Sequence, residues 1–246
     1  MPAATDTIAA VATAPGAAAL GVIRVSGPRA FDVVRRLWPP LEDPPESHRA
    51  RLARLRDGDE VLDEALVLPF VAPRSFTGEH VVELHCHGGA VTMRRVLDAV
   101  LQAGASPADA GAFSRQALLN NKLDLVQVEA IADLVHAESA SAQRLALDHL
   151  TGRLSAAIDA AKESLTKLVV LVEAAIDFSL EEHVYSLSAE EISMRARPVR
   201  DAVSALLATY DDGRLRSDGV RVANVGRPNA GKSTLLNTCS ACDARW

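Results

Sequence analysis

The sequence is poor in cysteine and in positive charge, and it has no long apolar run. Three cysteines (Cys86, Cys239 and Cys242) are too few for a disulfide framework. A net charge of −6 excludes nucleic-acid binding by a generally basic surface, although a local patch or a second protein is compatible with an RNA partner. The most apolar run, 168–176, is too short to span a bilayer. No basic segment precedes an apolar run near the N-terminus, so we expect no signal peptide and a cytoplasmic protein.

The clearest motif is a phosphate-binding loop. Residues 226–233 read Gly-Arg-Pro-Asn-Ala-Gly-Lys-Ser and match G-x-x-x-x-G-K-[ST], between a strand-like stretch at 220–225 and a helical start at 234–237. In such a loop, backbone N–H groups and the helix N-terminus surround a phosphate. Lys232 would reach the β- and γ-phosphate oxygens, and the Ser233 hydroxyl would bind Mg²⁺. Eight matched positions in this setting favour a phosphate loop over a chance glycine turn.

Little sequence follows this loop. Thirteen residues come after Ser233, whereas a GTPase domain also needs a switch threonine, a D-x-x-G motif and a guanine-reading N-K-x-D motif. The tail 238–246 does not resemble the continuation of a phosphate-loop helix. We therefore expect a truncated or frame-shifted product.

Residues 6–120 show a mixed α/β pattern. The sequence predicts strands at 7–13, 21–25, 61–71 and 81–87, of which 61–71 is expected to be largely buried, and helices at 30–37 and 91–101.

The predicted strand 81–87 has two different faces. Val82, Leu84 and Cys86 share an apolar face that is expected to belong to the core. Glu83, His85 and His87 share the other face. Three readings of that polar face remain open: a ligand surface, a zinc site that lacks evident further ligands, and an ordinary solvated surface.

From 125 to 178 the sequence predicts helices. Thr151-Gly152 is expected to separate two of them, since the segment contains no proline and no other glycine. A wide apolar stripe predicts that the second helix is buried on most sides; its residues are Leu165, Leu168, Val169, Val170, Leu171, Val172, Ala175 and Ile176. Ser188 and Glu191 fit a capping box for a further helix, which Pro198 should kink or divide and 211–213 should end. A plain interaction bundle accounts for these helices but not for the phosphate loop.

Blocks along nearly the whole chain resemble the MnmE family of tRNA modification GTPases. They are, in order, 6–8, 21–27, 75–79, 83–89, 113–114, 119–120, 122–125, 127, 129–134, 172–178 and 226–233. The resemblance implies an α+β, multidomain fold. A folate-binding α/β domain at 1–120, similar to the glycine-cleavage T protein, would form a homodimer. A helical-bundle domain at 121–216 and the beginning of a P-loop GTPase domain at 217–246 would follow.

The resemblance also implies an activity. Family members act with the flavoprotein MnmG to install an aminomethyl-type group on C5 of the wobble uridine of tRNA. They use a one-carbon unit from a tetrahydrofolate derivative and hydrolyse GTP with Mg²⁺, and their GTPase domains dimerise in a K⁺-dependent manner. The alternative is a truncated, non-enzymatic module for folate binding and dimerisation with a vestigial phosphate loop.

Matched positions carry the family's binding residues onto this sequence. Folate binding falls on Arg24, Glu83 and Lys122; nucleotide binding falls on Asn229, Ala230, Gly231, Lys232, Ser233 and Thr234. The resemblance further implies Mg²⁺ at Ser233 and K⁺ at Asn229, and it places no catalytic residue within the chain. A carboxylate such as Glu83 suits the paired N–H groups of a pterin. The sequence departs from the family at 17–19, where alanines replace glycines, and at 110–112, where alanine replaces a carboxylate.

Overall fold

The computed structural model of the chain describes residues 6–177, 188–219 and 223–243. Two compact units are present. The first contains the chain up to Ala132 together with His149–Ser155, and the second contains Asp133–Asp148 and the chain from Ala156 onward. No helix in the described part is both long enough and apolar enough to cross a membrane.

The first unit is built on a six-stranded sheet with the order β3-β4-β5-β2-β1-β6. The strands are β1 (Ile8–Val11), β2 (Leu20–Ser26), β3 (Arg51–Asp57), β4 (Glu60–Phe70), β5 (Val81–His87) and β6 (Ser106–Pro107). Neighbouring strands are antiparallel, except that the short β6 runs parallel to β1. The mixed α/β fold predicted for this part of the chain is confirmed.

One face of the sheet is covered by two helices, α1 (Ala30–Leu37) and α2 (Ala90–Gln102). Alternate residues of the strands point toward these helices and form a single core cluster, whose fully buried members include Ile23, Val25, Val67, Leu84 and Val96. The apolar face predicted for 81–87 therefore lies in the core. The prediction that 61–71 is largely buried is wrong, because only one face of β4 packs on helices and its other residues alternate outward.

Sequence patterns did not predict β3. Its sequence is Arg-Leu-Ala-Arg-Leu-Arg-Asp. Buried and exposed residues alternate only briefly in it, and only Ala53 and Leu55 are buried. The three arginines are typical of an edge strand, where charged side chains discourage pairing with another chain.

The helical segment after the sheet contains three helices rather than the predicted two. After α3 (Ala112–Leu119), they are α4 (Leu125–His136), α5 (Ala140–Leu150) and α6 (Arg153–Asp177). The extra break precedes α5, where the Ser139 hydroxyl accepts a hydrogen bond from the Ala142 N–H at 3.1 Å and so caps the helix. The predicted separation at Gly152 is confirmed, and this residue has the positive φ of 83° that suits glycine.

The apolar stripe on α6 is not buried on most sides. Leu168 is the one buried residue of this helix, whereas Leu165, Val169, Val170, Leu171 and Ile176 are exposed. The prediction is wrong because no described element packs over most of this stripe.

The capping box at the start of α7 (Ala189–Ala208) is confirmed. The Ser188 hydroxyl accepts from the Glu191 N–H, and the Glu191 carboxylate accepts from the Ser188 N–H. Pro198 lies inside this helix without dividing it.

The helix end predicted at 211–213 is wrong. These residues lie inside α8 (Tyr210–Asp218), since α7 already ends at Ala208 and Thr209 separates the two helices. Acidic residues in the first turn of α8 are favourable beside the positive end of a helix.

The last described element is α9 (Lys232–Asp243). It continues through 238–243, so the expectation that this tail departs from the phosphate-loop helix is wrong for those residues. Of the predicted strand 220–225, residues 220–222 lie outside the described residues and 223–225 are not in a strand.

Candidate functional site

Arg24 and Glu83 lie opposite each other on the two central strands of the sheet. They are direct partners in the register of β2 and β5, on the face turned away from α1 and α2. The Nε and Nη2 atoms of Arg24 both donate to Oε1 of Glu83, at 3.0 and 2.8 Å. Their side chains are 25% and 16% exposed, which leaves the pair accessible but partly desolvated. Partial desolvation strengthens such a charge-assisted contact relative to a fully exposed pair.

Two aromatic rings flank the guanidinium of Arg24. Its Cζ lies 5.2 Å from the ring centroid of Phe76 and 5.5 Å from that of Phe113. These are cation–π distances. Phe76 comes from the segment between β4 and β5, and Phe113 comes from the first turn of α3. The cation and the two rings together form a surface suited to a flat, polar ring system.

The second oxygen of Glu83 is also engaged. Oε2 lies 3.2 Å from Nε2 of His85, which must be the donor because a carboxylate only accepts. The three polar groups of β5 do not converge, because His87 turns to Asp63, with 2.7 Å between Nδ1 and Oδ1. Among the described residues, no group of three histidine, cysteine, aspartate or glutamate side chains could hold a metal ion.

Lys122 lies beside the segment that carries Phe76. A Cβ on Gly78 would be only 2.8 Å from Cγ of Lys122, so the lysine stem packs directly on the glycine. Asn120 joins the same two segments, since its Nδ2 donates to the Thr77 carbonyl at 2.7 Å. The structure thus pairs Arg24 with Glu83 and brings Lys122 to a neighbouring segment, while the part of the chain it describes shows no contact between Lys122 and that pair.

Sequence reasoning assigned no role to Phe76, Phe113 or Glu79. Burial raises the pKa of Glu79, while hydrogen bonds from Asn120 and Ser26 act in the opposite direction. The Ser26 hydroxyl lies 2.8 Å from that of Thr77 and 3.4 Å from Oε2 of Glu79. Their position in the sequence could have identified these three residues as candidates, because they lie in the blocks 75–79 and 113–114 that resemble the family.

The predicted phosphate-binding loop, residues 226–233, contains a sharp turn. Asn229 and Gly231 both have positive φ, at 61° and 83°. Lys232, which begins α9, donates through Nζ to the carbonyls of Gly226 and Arg227 at 2.9 and 2.8 Å. A bound phosphate would therefore compete with these two carbonyls for the lysine. Ala230, Ser233 and Thr234 lie exposed in the loop and first helical turn, where a ligand has access.

Comparison with known proteins identifies both parts of the chain. The family model described as GTP-binding protein TrmE N-terminus matches residues 7–122, and the model of the MnmE helical domain matches residues 125–244. Three similar proteins, each named tRNA modification GTPase MnmE, come from Chlorobium phaeobacteroides, Moorella thermoacetica and Saccharophagus degradans. Their identities are 44% over 239 residues, 44% over 238 and 45% over 238.

These alignments cover 95%, 94% and 97% of this chain and 50%, 51% and 52% of the relatives. The chain therefore spans about half the length of the curated relatives it matches. The two family models follow each other along the chain, in the same order as the mixed α/β unit and the helices after it. From these matches we conclude that the chain belongs to the MnmE family.

Proposed function

We propose that this chain acts in GTP-dependent modification of the wobble uridine of tRNA and that its N-terminal domain binds a tetrahydrofolate derivative. The observation that carries the folate assignment is the Arg24–Glu83 pair between Phe76 and Phe113. The names of the relatives support the tRNA and GTPase assignments. The aminomethyl-type product, the one-carbon donor and the partner flavoprotein MnmG belong to the same proposal, as does a homodimer through the N-terminal domain.

The residues around Arg24 fit a pterin chemically. A pterin edge offers two adjacent N–H donors to a carboxylate. One N–H of the pterin would replace His85 at Oε2 of Glu83. The other would share Oε1 of Glu83 with one donor of the Arg24 guanidinium. The second donor of Arg24 would then be available to an oxygen of the ligand. Phe76 and Phe113 would border the ring, and Lys122 would meet a carbonyl, formyl or carboxylate oxygen farther along the ligand. When bound, the folate supplies the one-carbon unit.

Calorimetry with 5-formyltetrahydrofolate tests the folate site. Glu83→Ala should lose about 1.5–3 kcal/mol of binding free energy, which is roughly 10- to 150-fold in Kd, because charge-assisted hydrogen bonds disappear. The matched control is Glu64→Ala. Glu64 also pairs directly across strands with an arginine, Arg54, but both side chains are at least half exposed. Equal affinity in the wild type and Glu83→Ala would remove Glu83 from the site.

In the phosphate loop, Lys232 would contact the β- and γ-phosphates of GTP and Ser233 would bind Mg²⁺. Asn229 would bind K⁺, and Ala230, Gly231 and Thr234 would complete the contacts to the nucleotide. These assignments rest on the match of residues 226–233 to the phosphate-loop motif and on the resemblance to the family. The positive φ of Asn229 and Gly231 at the turn before α9 is compatible with them.

A second candidate is a folate-binding and dimerisation module whose phosphate loop does not turn over GTP. Two observations favour it for the 246-residue chain: 223–225 are not in a strand, and the Lys232 ammonium is bound to carbonyls of its own loop. We expect weak nucleotide binding with no preference for guanine and no measurable phosphate release in KCl. Turnover that disappears in Lys232→Ala would instead favour the GTPase. In a full-length relative, K⁺ should stimulate hydrolysis more than Na⁺.

A further inference from the structure

One buried polar atom beside this site has no hydrogen-bond partner. It is Oε1 of Gln116; the other such side-chain atom among the described residues is Oγ of Ser155. A serine hydroxyl can rotate toward an acceptor, and Asp124 lies within reach of Ser155. The amide oxygen of Gln116 can only accept, so it requires a donor from another group. A buried acceptor without a donor destabilises the fold and calls for an explanation.

Gln116 lies on the helix face that borders the folate site. Residues three and four apart share one face of a helix, so Phe113, Gln116 and Asn120 are aligned along α3 and its C-terminal cap. Phe113 contacts the guanidinium of Arg24, and Asn120 donates to the carbonyl of Thr77. Gln116 is therefore located between two residues that both contact the surroundings of Arg24.

We propose that Oε1 of Gln116 is a further ligand-binding atom of this site and accepts a hydrogen bond from an N–H group of the bound reduced folate. This inference rests on the proposed folate function. A tetrahydropterin has more N–H donors than the carboxylate of Glu83 can accept, and an uncharged amide oxygen provides the additional acceptor without a second negative charge. The ligand then satisfies the oxygen that the protein leaves without a donor.

The substitution Gln116→Met tests this role, because it keeps the length of the side chain and removes the acceptor. The ligand-free variant should melt about 2–6 °C higher than the wild type, because a buried unsatisfied atom is gone. Its Kd for 5-formyltetrahydrofolate should rise about three- to tenfold, because one neutral hydrogen bond to the ligand is lost. Gln116→Leu should move both quantities in the same directions. A residue with only a structural role would not raise stability and weaken binding together.

The matched control is Gln127→Met. The side chain of Gln127 is satisfied within the protein, since Nε2 donates to the Leu150 carbonyl and Oε1 accepts from the Asp124 N–H, both at 3.0 Å. This variant should therefore melt lower than the wild type and bind folate equally well.

The possible outcomes separate the inference from the function on which it rests. Wild-type chain that binds no folate removes both. Folate binding by the wild type with unchanged Kd in Gln116→Met and Gln116→Leu overturns the role of Gln116 alone. A lower melting temperature in both variants shows that the amide is satisfied without ligand and also overturns the inference.

Discussion

Gly78 offers a direct test of how the segment carrying Phe76 is held against Lys122. The residue has φ of 80°, and an added Cβ would lie 2.8 Å from Cγ of Lys122 and 3.3 Å from Cβ of Asn120. Gly78→Ala therefore combines a left-handed backbone, which costs about 1–2 kcal/mol for a residue with a Cβ, with steric overlap of about 1–3 kcal/mol. The loss of unfolded-state entropy offsets about 0.4–1 kcal/mol of this. We expect a net loss of about 2–4 kcal/mol in the free energy of unfolding.

The chain contains a control that separates the two contributions. Gly58, in the turn between β3 and β4, has φ of 56°, and an added Cβ would meet nothing within 4 Å. Gly58→Ala should therefore lose only about 1 kcal/mol, the backbone part of the cost. Urea unfolding measures both variants, and calorimetry with 5-formyltetrahydrofolate should show weaker binding for Gly78→Ala alone.

A second substitution identifies the contact responsible. Adding Lys122→Ala removes Cγ, so the extra cost of Gly78→Ala over Gly58→Ala should shrink in that background. If Gly78→Ala is as stable as Gly58→Ala and binds folate normally, the packing of Lys122 on Gly78 has no energetic role and the reasoning is refuted.

Three further predictions concern other parts of the first unit. Burial, reinforced by the nearby Asp63, raises the pKa of the Cys86 thiol to about 12, so iodoacetamide at pH 8 should leave Cys86 unmodified in the folded chain and label it once urea unfolds the chain; peptide mapping that finds Cys86 labelled in the folded state contradicts this. Because burial raises the pKa of Glu79 above its usual 4.5, its protonated form favours folding, and the resulting stability should fall as pH rises from about 4.5 through the folded pKa. Glu79→Gln should flatten that dependence in urea titrations, and an unchanged slope counts against it. Residues 1–120 should fold and self-associate at micromolar concentration, because Leu52 and Leu66 are 64% and 44% exposed on the sheet face opposite the helices; a monomer in sedimentation contradicts the proposed homodimer.

The sequence was most informative where one residue type dominates one face of an element. The strand Val81–His87 was predicted with its observed bounds because its apolar and polar residues alternate from Val82 to His87. The edge strand Arg51–Asp57 was not predicted, because its buried face consists of only two small or medium residues between charged residues. The helix break before α5 was not predicted either. Neither proline nor glycine marks it, and the Ser139 cap is sufficient to begin the new helix.

The site shows a different limit. Local patterns placed Glu83 on a polar face, but they could not reveal that Arg24, 59 residues earlier, would be its direct partner. That pairing depends on the register between two strands separated by a hairpin and a helix. The sequence could not single out Gln116 either, because a buried atom without a hydrogen-bond partner can be recognised only when the positions of all its neighbours are known.

The position of β2 and β5 in the sheet has a consequence for the motions of the candidate site. Arg24 and Glu83 are attached to the third and fourth of six strands, so their backbone amides are protected by neighbours on both sides. Phe76 and Lys122 lie outside the strands, in segments joined by a few individual hydrogen bonds. Hydrogen exchange at the strands should therefore report global unfolding, whereas exchange at 75–80 and 112–122 should report local opening. A ligand that contacts the strands and also the segments 75–80 and 112–122 would slow hydrogen exchange in these two segments far more than in the strands. The opening of the two segments would set the residence time of the ligand.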